Sequence, residues 1–213
     1  IYQDVLTASY TANGNYEVTL VPGTFTIKST VISGAAVVVS GGSKVYDGTP
    51  FAVTATLTNE ATGYKIWYST DGGTNWSEEA PSVTDVADGE LTVSVKATQT
   101  GHTVLTCASV TIHITQRPIT ITADSGEKFY DGTALTSGFT YTLPTSTLPH
   151  EGLVGGQELT ATTTGSLTEI GSVDNTVGDV VIKRDGQDVT GNYAITRVDG
   201  LLTVKAAEGI TVR

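Results

Sequence analysis

The chain has 213 residues, room for about two ordinary domains of ~100–200 residues, and only 15% of it is charged, below the ~25% of a typical soluble domain. With 11 basic against 22 acidic residues, a net charge of −11 and no cluster of Lys and Arg, it lacks what is needed to neutralise nucleic-acid phosphates or to dock on an anionic membrane. Thr, Ser and Gly supply the surface instead, and the acidic balance reads as charge that keeps an exposed protein in solution.

In chain order, residues 1–34 are too few for a core of their own. They are expected to be the C-terminal hairpin of a preceding repeat, packed on the next unit or donated as strands to a neighbouring molecule. A unit over 35–116 opens on the strand-forming run Ala35-Ala36-Val37-Val38-Val39. Within it Tyr64-Lys65-Ile66-Trp67-Tyr68-Ser69 reads as a central strand with Trp67 as core anchor. Leu91–Lys96 and Ile112–Thr115 alternate with period two and are rich in β-branched residues. The run Val104–Val110 is strand-like and carries Cys107, the single cysteine, so no internal disulfide exists and the thiol is expected to pack as a small apolar group. Gln116-Arg117-Pro118 marks the next boundary, since proline ends one strand and restarts the chain extended.

A last unit over 117–207 opens on Ile119-Thr120-Ile121-Thr122-Ala123 and closes on Leu201-Leu202-Thr203-Val204. Its middle is longer, which suits either the same sandwich or a β-grasp-like topology. A helix at His150–Leu159 is opposed by Gly155-Gly156 in its middle. Residues 208–213 are a linker or the start of a further strand. Asp71-Gly72-Gly73, Asp88-Gly89, Asp185-Gly186, Gly191-Asn192 and Asp199-Gly200 provide hairpin chemistry between strands. The predicted class is therefore all-β: tandem small immunoglobulin-like β-sandwiches joined end to end.

Internal repetition supports this division. Lys44-Val45-Tyr46-Asp47-Gly48-Thr49 recurs as Lys128-Phe129-Tyr130-Asp131-Gly132-Thr133. A second echo carries Asn15-Tyr16-Glu17-Val18-Thr19 onto Asn192-Tyr193-Ala194-Ile195-Thr196, at close to twice the offset that separates Lys44 from Lys128. A fixed period of this size means an array of small units. Asp47, Gly48, Asp131 and Gly132 are expected to set the repeated turn, with Tyr46 and Tyr130 packed beneath it. Because the chain contains no Met, has no signal-peptide pattern and starts inside a repeat, it is expected to be an excerpt or processed product of a larger protein.

These motifs, together with Ser69-Thr70-Asp71-Gly72-Gly73-Thr74-Asn75-Trp76 and Gly191-Asn192-Tyr193-Ala194-Ile195, resemble the MBG-type and bacterial Ig-like repeats of large adhesin-like proteins, common in Firmicutes. The resemblance covers nearly the whole chain. It implies an extracellular, non-catalytic stalk or adhesion module at a bacterial cell surface, wall-attached or secreted, and transfers no site residue.

Residue chemistry agrees on catalysis. His102, His113 and His150 fall on separate turns and strands, and there is no Gly-x-Ser-x-Gly elbow, His-Glu-x-x-His motif or phosphate-cradling Gly loop; no enzyme and no organic cofactor are expected. Three other candidates stand beside ordinary structural readings. Asp71 with Asn75, and Asp185 with Asp188, place oxygen donors at loop spacings compatible with calcium, although the same residues are hairpin formers. Tyr64, Tyr68 and Trp76 form an aromatic group that, if outward, stacks on a host glycan or meets a protein partner. Lys44 or Lys128 beside Asn192 supplies the pair for an isopeptide cross-link, against the plainer reading of a lysine stem lying over the sheet. Otherwise the partners expected are neighbouring domains of the same protein, with neither nucleic acid nor membrane insertion. The main expectation is a stiff spacer; the rivals are a glycan- or protein-binding module built on Tyr64–Trp76 and a fibre subunit that donates residues 1–34.

Overall fold

The computed structural model describes residues 29–207, and before them only the antiparallel pairing of Tyr2–Leu6 with Gly23–Phe25. Within 29–34, Thr30 bridges to His102 and Ile32 packs against the core of the middle unit; the readings that fall on 7–22, 26–28 and 208–213 lie outside the described residues. Among the described residues there are strands and three short 3-10 turns but no α-helix, and no helix long and apolar enough to cross a membrane. The chain is all-β. The segment considered for a helix forms a turn that leads into the strand Glu158–Thr163.

In the middle unit, Leu91–Thr98 is the hub of one sheet. It pairs antiparallel with Lys65–Ser69, Leu105–Thr106 and Val110–Thr115, and the last of these runs parallel to Gly42–Val45. Against this sheet lie the antiparallel pairs Val37–Ser40 with Thr54–Leu57 and Phe51–Ala52 with Ser82–Val83. The period of two decides which face is core: Val93, Val95 and Ala97 are buried along one strand, Ile112 and Ile114 along its neighbour. Residues directly opposite across a ladder share a face. Tyr68 stands opposite Val95 and is buried, whereas Trp67 stands opposite Lys96 on the outer face, half-buried. The core aromatic of this strand is thus Tyr68, not Trp67. Cys107 is half-buried after the short strand Leu105–Thr106, and burial pushes its thiol pKa up.

The last unit repeats much of this plan in three three-stranded sheets. Arg117–Ala123 lies between Phe139–Tyr141, antiparallel, and Tyr193–Val198, parallel. Gly126–Phe129 runs parallel to Gly200–Lys205, as Gly42–Val45 does to Val110–Thr115. Gly171–Asn175 pairs with Gly200–Lys205; just beyond, the same chain pairs as Val177–Arg184 with Glu158–Thr163. With no α-helix to wrap, this unit is a sandwich and not a β-grasp.

A single residue, Gln116, separates the strand Val110–Thr115 from Arg117–Ala123. The two units do not merely abut. One buried apolar cluster runs from Val37, Tyr46, Val93 and Ile112 on to Ile119, Leu153, Ile182, Val189 and Tyr193, while Ile121, Ala123 and Val177 form a smaller cluster within the last unit. The interior is therefore partly shared across the boundary, more intimately than serial stacking of independent units implies.

Candidate functional site

The repeated hexapeptide forms one corner structure twice. Asp47 Oδ1 accepts the Thr49 backbone N–H at 2.9 Å and its hydroxyl at 2.7 Å, and Lys44 Nζ donates to Thr49 Oγ1 at 2.6 Å and pairs with Asp47 at 2.8 Å. In the second copy the corresponding distances are 2.9, 2.8, 2.7 and 2.7 Å, through Asp131, Thr133 and Lys128. Gly48 and Gly132 have φ of 78° and 79°, the left-handed region in which Cβ is disfavoured, so glycine is required at each corner. Burial opposes ionisation of Asp47, but the bonds from Lys44 and Thr49 outweigh it and hold its carboxyl below the ordinary 3.8. The Lys128 bond, then those from Thr133, depress Asp131 further.

The corners differ in what covers them. Tyr46 is completely buried and Tyr130 is 41% exposed, which corrects the expectation that both tyrosines pack beneath their turns. Side chains of the last unit close over Tyr46. Its hydroxyl accepts from Gln157 Nε2 at 2.8 Å and Arg184 Nη1 at 3.2 Å, and its ring meets Tyr193 edge-on at 5.6 Å. Gln157 Oε1 takes the Tyr193 hydroxyl proton at 2.6 Å, and that hydroxyl accepts the Val154 N–H at 3.1 Å. Burial pushes the Tyr193 phenol pKa up.

Arg117 is buried at the base of the same joint. Its guanidinium donates to Gly152 O (2.6 Å), Pro149 O (2.9 Å) and Glu151 O (2.7 Å), and more weakly to Tyr46 O (3.4 Å). A buried cation costs free energy unless its donors are satisfied, and here carbonyl oxygens take the place of a counter-ion. At the rim, Asn192 clamps the turn after Val83: its Oδ1 accepts the Val86 N–H at 2.7 Å and its Nδ2 donates to Asp85 Oδ1 at 2.7 Å, while Arg184 pairs with Asp85 at 3.2 Å. The site built by these elements is a polar, interlocked junction between sandwiches.

Residues 119–203 match the family described as MBG domain (YGX type). The match spans this segment and stops short of half the chain. MBG domains are repeat modules of bacterial surface proteins, and that is the class of module this part of the chain is similar to. No curated protein matches the chain. Among solved structures it is similar to the fibronectin(III)-like modules of Clostridium thermocellum CbhA (12% identity, 83% of this chain and 99% of that one, TM-score 0.29). It is also similar to the D00-D0 domain of intimin (12%, 78% and 98%, TM-score 0.30) and to Drosophila N-cadherin EC1-3 (13%, 78% and 65%, TM-score 0.24). These global likenesses are weak, and the all-β assignment rests on the strand pairings themselves.

The other residues singled out by sequence fall outside the junction or take different roles within it. Tyr64 is buried and donates its hydroxyl to Thr103 O at 2.9 Å, and Tyr68 is buried with its phenol pKa pushed up. Only Trp76 of that trio stays half-exposed; its indole N–H bonds its own turn at Gly73 O, and Lys96 Nζ sits 3.9 Å from the ring centroid. It borders an open cleft of about 410 Å³ together with Tyr68, Asp71, Asn75 and Glu79, but Tyr64 does not line it, so no three-membered aromatic platform is assembled there.

Asp71 spends both carboxylate oxygens on the loop that carries it. It accepts from Ser69 Oγ, from the N–H groups of Thr74 and Asn75, and from Asn75 Nδ2. These bonds, that from Asn75 first, hold it well below the usual carboxylate range. Asp185 takes φ of 50° in the turn before Gln187–Asp188, and Asp188 accepts the Thr190 N–H at 2.9 Å. Each acidic residue is thus engaged as a turn former, and the described residues contain no group of three or more His, Cys, Asp or Glu able to hold a metal ion.

The isopeptide partners are not brought together. Lys44 is held by Thr49 and Asp47, Lys128 by Thr133 and Asp131, and Asn192 by Asp85 and Val86. Asn192 is a junction clamp. Sequence reasoning passed over Arg117, Gln157, Arg184 and Asp85. One signal was present: along Arg117–Ala123 the inward positions are 117, 119, 121 and 123, so alternation aims Arg117 at the core.

Proposed function

We propose that this chain is a non-catalytic spacer segment of an extracellular bacterial surface protein, wall-attached or secreted, whose work is to hold neighbouring domains at a fixed distance and angle. The observation that carries this reading is the buried junction around Tyr46. A one-residue linker alone still permits pivoting about the backbone. Here Arg117, Gln157, Arg184, Asn192 and Tyr193 also bond or pack across the boundary, and a continuous apolar cluster lies behind them. Bending the joint exposes that cluster and strands buried donors, each worth about 1–3 kcal/mol when left unpaired. Interfaces between domains of one chain are often loose and polar; this one combines apolar burial with satisfied polar groups. Its partners on this reading are the domains on either side of it.

Nuclear spin relaxation of backbone amides tests the proposal. A stiff joint gives one anisotropic tumbling tensor that fits residues 35–116 and 117–205 together. Two independent tensors for the two segments in the intact chain would remove the spacer reading.

A further inference from the structure

We infer that the far end of the last unit is a second docking corner, shaped to take an in-line unit of the same build as residues 117–205. This rests on the spacer reading and deepens it by naming the next partner and the residues that receive it.

The correspondence extends well beyond the hexapeptide. Tyr46 N donates to Thr115 O at 2.9 Å and Tyr130 N to Lys205 O at 2.8 Å, so each corner hangs on the final strand of its unit in the same way. Phe51 pairs with Val83, and Leu135 bridges to Leu167, both partners displaced by the offset that separates the two hexapeptides. From there Ser82-Val83-Thr84-Asp85-Val86 maps onto Ser166-Leu167-Thr168-Glu169-Ile170. Four positions that receive the last unit at the first corner therefore have counterparts at the second, Tyr46 and Tyr130, Gly48 and Gly132, Asp85 and Glu169, Val86 and Ile170, while the 3-10 turn Val86–Asp88 is replaced there by the start of the strand Gly171–Asn175.

Among the described residues, nothing covers the second corner. Tyr130 is 41% exposed, Phe129 52% and Ile170 61%, whereas Tyr46 is buried and Val45 and Val86 are partly covered. A Cβ built on Gly48 would meet Gln157 and Val154 at 3.6 Å; one on Gly132 meets nothing within 4 Å. Three large apolar side chains left exposed at the corner and at its Leu135–Leu167 bridge, with Glu169 next to Ile170, make surface that a folded domain usually keeps covered.

The matching surface is the face that seals Tyr46: an Arg fork for the Tyr130 carbonyl, a Gln for its hydroxyl, an Arg for Glu169, and an Asn for the Ile170 N–H. Glu169 reaches one methylene further than Asp85, so the arginine opposite it stands slightly further out. The occupant is in-line and not a second molecule from solution. Arg117 stands two residues past Thr115 on a continuous chain, and in the intact protein that sealing set is already engaged with Tyr46.

The test extends the chain with a copy of Arg117–Lys205 placed directly after Ala206, which sets the copied arginine two residues past Lys205. Backbone amide relaxation is measured on the extended chain, with and without Ile170→Asp. We expect the appended copy to fold and share the tumbling tensor of the parent, and Ile170→Asp to release it into independent tumbling. The same substitution in the unextended chain should move Tm by less than about 2 °C, as for an exposed site. An appended copy that tumbles freely, that stays unfolded although the corner should complete its interior, or that ignores Ile170→Asp overturns the inference. The spacer reading fails separately, if 35–116 and 117–205 of the parent tumble apart.

Discussion

Replacing Tyr46 by Phe removes one oxygen from the junction and leaves its packing in place. The ring keeps its edge-on contact with Tyr193 at 5.6 Å, so no cavity forms. What is lost is the acceptor for two donors, Gln157 Nε2 at 2.8 Å and Arg184 Nη1 at 3.2 Å. Gln157 is only 9% exposed, so its N–H is stranded away from water at a cost of about 1–3 kcal/mol. The Arg184 side chain is 30% exposed and recovers a water, so its loss adds little. For a protein of this size 1 kcal/mol moves Tm by roughly 2–4 °C, which gives a fall of roughly 2–12 °C. Tyr130→Phe is the internal control: the same substitution in the same local motif, at an exposed ring, should stay within roughly 0.5 kcal/mol of the parent. Scanning calorimetry of the two variants beside the parent decides the matter. If Tyr46→Phe melts with the parent, or Tyr130→Phe loses as much, the neighbouring unit does not give Tyr46 its role.

Other substitutions probe the clamp, the corners and the acidic loop. Asn192→Ala strands the Val86 N–H and frees Asp85, and should cost about 1–3 kcal/mol by denaturant unfolding; a change under roughly 0.5 kcal/mol, the size of an ordinary surface substitution, speaks against the clamp. Gly48→Ala and Gly132→Ala share φ near 78° and meet no contact closer than 3.6 Å, so each should lose about 1–2 kcal/mol from backbone strain alone, and a neutral Gly132→Ala contradicts the corner geometry. Asp71 has a depressed native pKa, so its contribution is fully present above the ordinary carboxylate value of 3.8 and declines as pH falls toward the lowered one. Carbon NMR titration should place the Asp71 midpoint below those of unbonded aspartates, and a midpoint at or above 3.8 removes the saturated-turn reading that competes with calcium.

The strands were the most legible part of the chain because one face of each is buried, and burial writes a period of two into Leu91–Thr98 and Val110–Thr115. The orientation of Lys65–Ser69 was not legible. Alternation places Trp67 and Tyr68 on opposite faces but leaves open which face is inward. That is settled by register: Tyr68 lies opposite Val95 and Trp67 opposite Lys96, and cross-strand register is a long-range property. The corner turns were readable from Asp and Gly, since their hydrogen bonds close within the hexapeptide itself. The acidic loop residues were ambiguous because a carboxylate that caps backbone N–H groups and one that ligates a cation use the same residue types at the same spacing.

Tyr46 and Tyr130 show where local reading stops. Their flanking residues are alike, their corners close with the same bonds at nearly the same lengths, and yet one ring is sealed and the other open. Local sequence specifies the corner; its burial belongs to residues far along the chain, such as Arg117, Gln157 and Arg184. Self-similarity therefore predicts the corner at each repeat and does not predict whether it is covered. The energetics follow the same division. The turn bonds stabilise each corner whether or not it is covered, while the apolar and buried polar contributions arise only on contact. A joint built this way needs no separate linker chemistry: the surface that seals the corner begins with Arg117, two residues after Thr115 ends the preceding strand.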